Sequence, residues 1–216
     1  MVSQRPKIYS GRVAIKWRMQ MGHIYSGFTP SETVKLQNAA IDGQKAIVAA
    51  WADIQSVKSN KTASVAYRRW FGTYHNARAQ TVFEKINAIH YALTASSLKL
   101  TKSGAAGHYA AAFEPDAGWN MHKVKEIVKS GGYTVEYTNL FFGNFTEDEG
   151  GKHPQALTFV HELSHVVAST DDMDYPPDID EECYGQLKCK YIATNHPDVA
   201  INNADSYGFY CTEFLA

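Results

Sequence analysis

His161-Glu162-Leu163-Ser164-His165 is the feature that most constrains this chain. It lies within an apolar run, Ala156, Leu157, Phe159, Val160, Leu163, Val166 and Val167, whose spacing predicts a buried helix over about 153–168, opened by Pro154. On a helix, side chains four apart share a face, so both imidazoles can reach one cation. Glu162, beside the first histidine, can stand next to that cation without binding it and take a proton from water. Chance alone would place this five-residue pattern in roughly one in fifty chains of this composition.

The rest of the chain has to supply a rigid frame for such a helix. With 216 residues, 44% hydrophobic and 12% aromatic, it suffices for one packed domain. Thr29-Pro30-Ser31-Glu32 reads as a helix start, followed by a long apolar stripe through Ala39, Ile47 and Ile54. A second helix is expected from near Asn76 to about Leu93, with Val82, Phe83, Ile86 and Ile89 inward. Between them, Tyr67 to Tyr74 reads as an aromatic turn punctuated by Gly72. Short strands and loops are expected from Ser96 to Trp119, and a strand from Tyr133 to Phe142. An acidic loop from Asp171 to Asp180 precedes a helical C-terminus. The fold class is therefore α+β, mostly helical, with residues 1–28 as an N-terminal extension and 29–216 as the domain.

Composition removes several function classes. Lys and Arg number 21 against 22 Asp and Glu, a net charge of −1, which lacks the basic excess of a nucleic-acid binder. No run is long and apolar enough to span a membrane, and Arg5, Lys7, Arg12, Lys16 and Arg18 interrupt any signal-peptide core. Secretion or export is expected by a route this sequence does not display, with a cytoplasmic location left open. The expected state is a monomer acting on a protein or peptide. Cys183, Cys189 and Cys211 allow one bridge and one free thiol, with the pairing open.

A catalytic zinc takes three protein ligands and a water, so a third ligand must follow His165. No histidine lies close downstream, but carboxylates do: Asp171, Asp172, Asp174, Asp178, Asp180, Glu181 and Glu182. Here the sequence resembles the aspzincins, the deuterolysin and peptidyl-Lys metalloendopeptidase family, in which His-Glu-x-x-His is followed by Gly-Thr-x-Asp-x-x-Tyr-Gly. Thr170-Asp171-Asp172-Met173-Asp174-Tyr175 follows that pattern, with Ser169 and Pro176 in place of the two glycines. The Trp70-Phe71-Gly72 segment and Asn203-Ala204-Asp205 are similar to other stretches of the family.

The resemblance implies a zincin-like domain with a small sheet beside the cleft, holding one Zn²⁺ through His161, His165 and Asp172. It implies a zinc endopeptidase with Glu162 as general base and Tyr175 as oxyanion donor. An insertion would shift these roles: Tyr184-Gly185 is a second Tyr-Gly pair, making Tyr184 the alternative tyrosine and Asp180 or Glu181 the alternative ligand. By the same resemblance Asp205 binds a substrate lysine on the amine side of the scissile bond, although Gly208 stands where lysine-specific members carry a second carboxylate. The rival readings are a catalytically silent zincin-fold binding module and the protease domain of a secreted toxin or effector.

Overall fold

The computed structural model describes residues 22–104, 110–112, 119–143 and 145–216. Helix α1 (Pro30–Asn60) begins as its sequence requires: Thr29 Oγ1 accepts the Glu32 N–H, and the Glu32 carboxylate accepts the Thr29 N–H in return. Leu36, Ala39, Ala40, Gly43, Ala46, Ile47, Ala50, Ile54 and Val57 form its buried face. The expected aromatic turn is instead a helix, α2 (Val65–Phe71), capped by Ser64. Tyr67, Trp70 and Phe71 are spaced i, i+3, i+4, which puts three large rings on one buried face and outweighs the turn signal of Gly72. Helix α3 (Asn76–Ala95) buries Val82, Ile86, Ile89 and Leu93, while Phe83 stays partly exposed beneath Lys58.

Four strands form the main sheet: β1 (Ile24–Ser26), β2 (Lys99–Lys102), β3 (Ala110–Ala112) and β4 (Thr134–Tyr137). Their order is β1-β2-β4-β3, with β1, β2 and β4 parallel and β3 antiparallel on β4. Strand β1 belongs to the stretch read as an extension, so the sheet starts ahead of residue 29; residues 1–21 lie outside the described residues. The expected strand to Phe142 ends at Tyr137, because Thr138 caps a 3₁₀ turn over Asn139–Phe142. Helix α4 (Met121–Lys129) bridges the sheet strands, and the one-turn α5 (Glu147–Gly150) leads to α6 (Pro154–Ala168).

Helix α6 sits at the centre. After it come a hairpin, β5 (Asp174–Tyr175) and β6 (Asp178–Glu182), and then α7 (Gly185–Asn195), α8 (Pro197–Ala200) and α9 (Ala204–Thr212). α6 packs most extensively on α9, then on α1 and α3, with β3 beside it. At Gly43 an added Cβ would lie 2.5 Å from the Phe159 ring, so α1 and α6 approach as closely as they do only because that residue has no side chain. Leu157, Phe159, Val160, Leu163, Val166 and Val167 are all buried. Each contributes roughly 1.5–3 kcal/mol by leaving water, enough together to hold the helix rigid while it carries polar groups inward.

Candidate metal centre

Two polar residues of α6 are held where solvent barely reaches: His161 is 7% exposed and Glu162 5%. The His161 and His165 Nε2 atoms face one another at 3.0 Å. Each ring is fixed from behind through its other nitrogen. His161 Nδ1–H donates to Asp205 Oδ1 at 2.8 Å, and His165 Nδ1–H donates to the Thr170 carbonyl at 2.9 Å. With both Nδ1 atoms engaged as donors, both Nε2 atoms turn the same way, as metal-binding histidines require.

Thr170 holds its place because α6 ends abruptly. Ser169 adopts the left-handed conformation (φ 49°), and the Thr170 N–H returns to the Ser164 carbonyl. The Thr170 and Ser164 hydroxyls are 2.6 Å apart, and Ser164 in turn donates to the His161 carbonyl. Two residues on, Asp172 Oδ1 lies 3.4 Å from each Nε2. That oxygen is buried and has no hydrogen-bond partner. An orphaned carboxylate oxygen beside two convergent imidazole nitrogens is costly unless something else satisfies all three.

A cation would satisfy them. Among the described residues, His161, His165 and Asp172 are the group whose ligand atoms fall together, all within 4.8 Å of one another. Two imidazole nitrogens and one carboxylate oxygen suit zinc, leaving a position for water or substrate. Asp180 and Glu181 are not brought to this group: both are exposed on β6, where Glu181 pairs with Lys188 at 2.7 Å.

The two tyrosines are placed differently from the expectation that favoured Tyr175. Tyr175 pairs with Asp178 in the hairpin and lies edge-on to Tyr191, with ring centroids 5.3 Å apart. Tyr184 lies beside the centre: its ring centroid is 6.1 Å from that of His161, and burial, then the neighbouring Asp172 carboxylate, oppose its ionisation. The Cys183 N–H donates to the Met173 carbonyl at 2.8 Å and closes the base of the hairpin. Residues 174–182 therefore loop out, and the chain returns at Tyr184-Gly185.

Asp205 also departs from expectation. It is 5% exposed and both oxygens are engaged, Oδ1 by His161 and Oδ2 by the Gly185 N–H at 2.8 Å. It faces a histidine rather than a free pocket. At Gly208, an added Cβ would meet Leu157 Cγ at 3.0 Å and the Leu157 carbonyl at 3.2 Å, so a second carboxylate there requires α6 to give way. The three cysteines are buried free thiols, with no bridge among them.

Charge follows this geometry. Burial alone would push the His161 imidazolium down, but Asp205, then Glu162 and Asp172, outweigh it and raise it to about 9. His165 is raised as well: burial opposes, and the neighbouring Asp172 carboxylate prevails. The same partners hold Asp172 at about 2 against its own burial, with His165 the largest favourable influence. Burial raises Glu162 despite the neighbouring histidines, which is the direction that suits a proton carrier. Sequence reasoning missed Tyr137, a fully buried tyrosine of β4 whose hydroxyl has no hydrogen-bond partner and whose ionisation Glu162 opposes. It named Asn203 within the Asn-Ala-Asp stretch but not its role: the side chain accepts the Met173 N–H and donates to the Cys183 carbonyl, tying both ends of the hairpin to α9.

Comparison with known proteins places this geometry. A family model described as lysine-specific metallo-endopeptidase, the aspzincin family, matches residues 56–212. The chain is 28% identical over 206 residues to a peptidyl-Lys metalloendopeptidase of Armillaria mellea, covering 93% of this chain and 50% of that one. It is 29% identical over 194 residues to an extracellular protease of Aeromonas hydrophila, covering 83% and 47%. This chain thus spans about half the length of the curated relatives it matches. A solved zinc peptidase from Grifola frondosa superposes with a TM-score of 0.62 at 26% identity, covering 86% of this chain and 97% of that one.

Proposed function

This chain belongs to the aspzincin family of metallo-endopeptidases, and on that premise we propose that it is a zinc-dependent endopeptidase whose active site is the His161–His165–Asp172 centre. The observation that carries the proposal is Asp172 Oδ1, buried without a partner at equal distance from two imidazole nitrogens anchored from behind. Zinc held there supplies Lewis acidity, polarising the scissile carbonyl and bringing the pKa of its water to near 7.

The chain's own residues do the rest. Glu162, buried beside the ligands with Oε1 3.9 Å from His161 Nε2, takes the proton of the attacking water and hands it to the departing amine. Tyr184 is 42% exposed at the rim and donates its hydroxyl to the oxygen on which negative charge grows. That contact strengthens toward the transition state, so it accelerates turnover more than it tightens binding. Asp205 and Thr170 keep the two rings aimed and donate nothing to substrate.

Lysine on the amine side of the scissile bond is the preference we propose, from the family description and from relatives called peptidyl-Lys metalloendopeptidases. It is broader than a two-carboxylate pocket would give, because Asp205 is engaged and position 208 has no side chain. Action outside the cell is proposed in line with the extracellular relative. Among the described residues, no helix is long and apolar enough to cross a membrane.

The test compares wild type and Glu162→Ala for zinc content and for cleavage of a denatured protein mixture. Both should bind one zinc, and only the wild type should cut. Equal cleavage by the two proteins would overturn the assignment, and so would absence of zinc from both.

A further inference from the structure

Lys85 is a lysine of α3 that is only 5% exposed, in a core where a bare ammonium is expensive to bury. Its Nζ donates to the Ser169 carbonyl at 3.2 Å and to Asn202 Oδ1 at 3.1 Å, and it sits 5.9 Å from the centre of the Tyr207 ring. Ser169 is the residue on which α6 ends, and Asn202 lies in the turn that opens α9. Those turns are also joined by backbone: the Asp171 N–H donates to the Asn202 carbonyl, and the Ala204 N–H to the Asp171 carbonyl, each at 2.9 Å. The residue after each bonded position is Asp172 on one side and Asp205 on the other. One meets the Nε2 face of the histidine pair, and the other holds His161 from behind.

We propose that Lys85 is a positioning residue of the metal centre: its ammonium clamps the turn after α6 to the turn before α9, setting Asp172 and Asp205 in register with each other. A hydrophobic residue of similar length would fill the same space without bonding either turn. Beside their two backbone bonds, the turns would then keep only the Met173 N–H bond to Asn203 Oδ1, and the carboxylates would lose their fixed spacing. The inference rests on the reading of this centre as a zinc site, but the clamp itself is observable without metal.

The experiment compares wild type, Lys85→Met and Ile54→Val, the last a core change in α1, which holds neither turn. In metal-free protein, the Asp171 and Ala204 amides of Lys85→Met should exchange with deuterium at least about tenfold faster than in wild type, with α1 amides unchanged. In the cobalt(II)-loaded protein, Lys85→Met should shift the visible absorption bands and release metal to a chelator about 10–100-fold faster, and kcat should fall with KM nearly constant. Ile54→Val should change none of these. Wild-type exchange at Asp171 and Ala204 together with a wild-type cobalt spectrum in Lys85→Met would overturn the proposal. If Lys85→Met does not fold, Asn202→Ala removes the other half of the clamp and should give the same faster exchange; wild-type exchange there would overturn it equally. A wild-type protein that binds no cobalt and no zinc refutes the metal-site reading, while the exchange rates still judge the clamp.

Discussion

Asp205 Oδ1 accepts the Nδ1–H of His161 at 2.8 Å, while its other oxygen accepts the Gly185 N–H at the same distance. One buried carboxylate thus ties α9 both to the metal-facing helix and to the residue following Tyr184. On the proposed function, its work is to aim a ligand and to anchor the tyrosine turn. Replacing it by Ala should leave His161 free to rotate and lower zinc affinity about 10–100-fold, with Asn closer to wild type because it can still accept from His161. Competition with a chromophoric chelator measures this; an Asp205→Ala protein with unchanged zinc affinity would contradict the aiming role.

The hairpin gives a clean contrast between two tyrosines. Tyr184→Phe should lower kcat about 10²–10³-fold with little change in KM, the usual effect of removing one oxyanion donor. Tyr175→Phe should leave kcat within about twofold, because that ring packs on Tyr191 at the hairpin's edge. Steady-state kinetics on one peptide substrate would check both, and the reverse ranking would return the role to Tyr175.

Zinc binding should depend on pH in a defined direction. In the metal-free protein His161 is raised to about 9 and His165 above its ordinary value, so with their Nε2 atoms 3.0 Å apart the pair keeps proton charge on the ligand nitrogens, shared between them, at neutral pH. Zinc has to displace them, and apparent affinity should climb with pH until it levels above about 9. Raised histidines also stabilise the metal-free fold: that contribution is complete below about pH 6.5 and is lost as pH rises through about 9. The melting temperature of metal-free protein should therefore fall between pH 6.5 and 9.5 relative to the zinc-loaded form. Calorimetry in buffers of different ionisation enthalpy would show proton release on zinc binding at pH 7; zero release would contradict these charge states.

Gly208→Glu should not restore a two-carboxylate lysine pocket. The new Cβ would lie 3.0 Å from Leu157 Cγ and 3.2 Å from the Leu157 carbonyl, forcing α9 away from α6. The expected cost is about 1–3 kcal/mol of stability, with lower activity on every substrate rather than sharper selection for lysine. Denaturant melts and cleavage-site profiling would check it; a stable variant with narrowed specificity would show that the two helices yield more easily than their packing indicates.

Much of this was legible from residue spacing. Thr29 and Glu32 announced α1, the apolar run around His161 announced α6, and the histidine pair with Asp172 lies together as its pattern implies. What escaped was set by contacts distant in sequence. Tyr67, Trp70 and Phe71 are helical because α9 offers them a surface, which no local signal reports. Tyr184 comes beside His161 because the Cys183 N–H finds the Met173 carbonyl across the hairpin, a pairing invisible to a linear motif. Asp205 reads as a substrate-lysine carboxylate until His161, 44 positions earlier, is seen beside it.

The central claim is best tested by the zinc absorption edge of the loaded protein, read by anomalous diffraction at the metal. The account requires one ion bound by His161 Nε2, His165 Nε2 and an oxygen of Asp172, at about 2.0–2.2 Å. An ion held by any other carboxylate, or no ion between those two rings at saturating zinc, would contradict it.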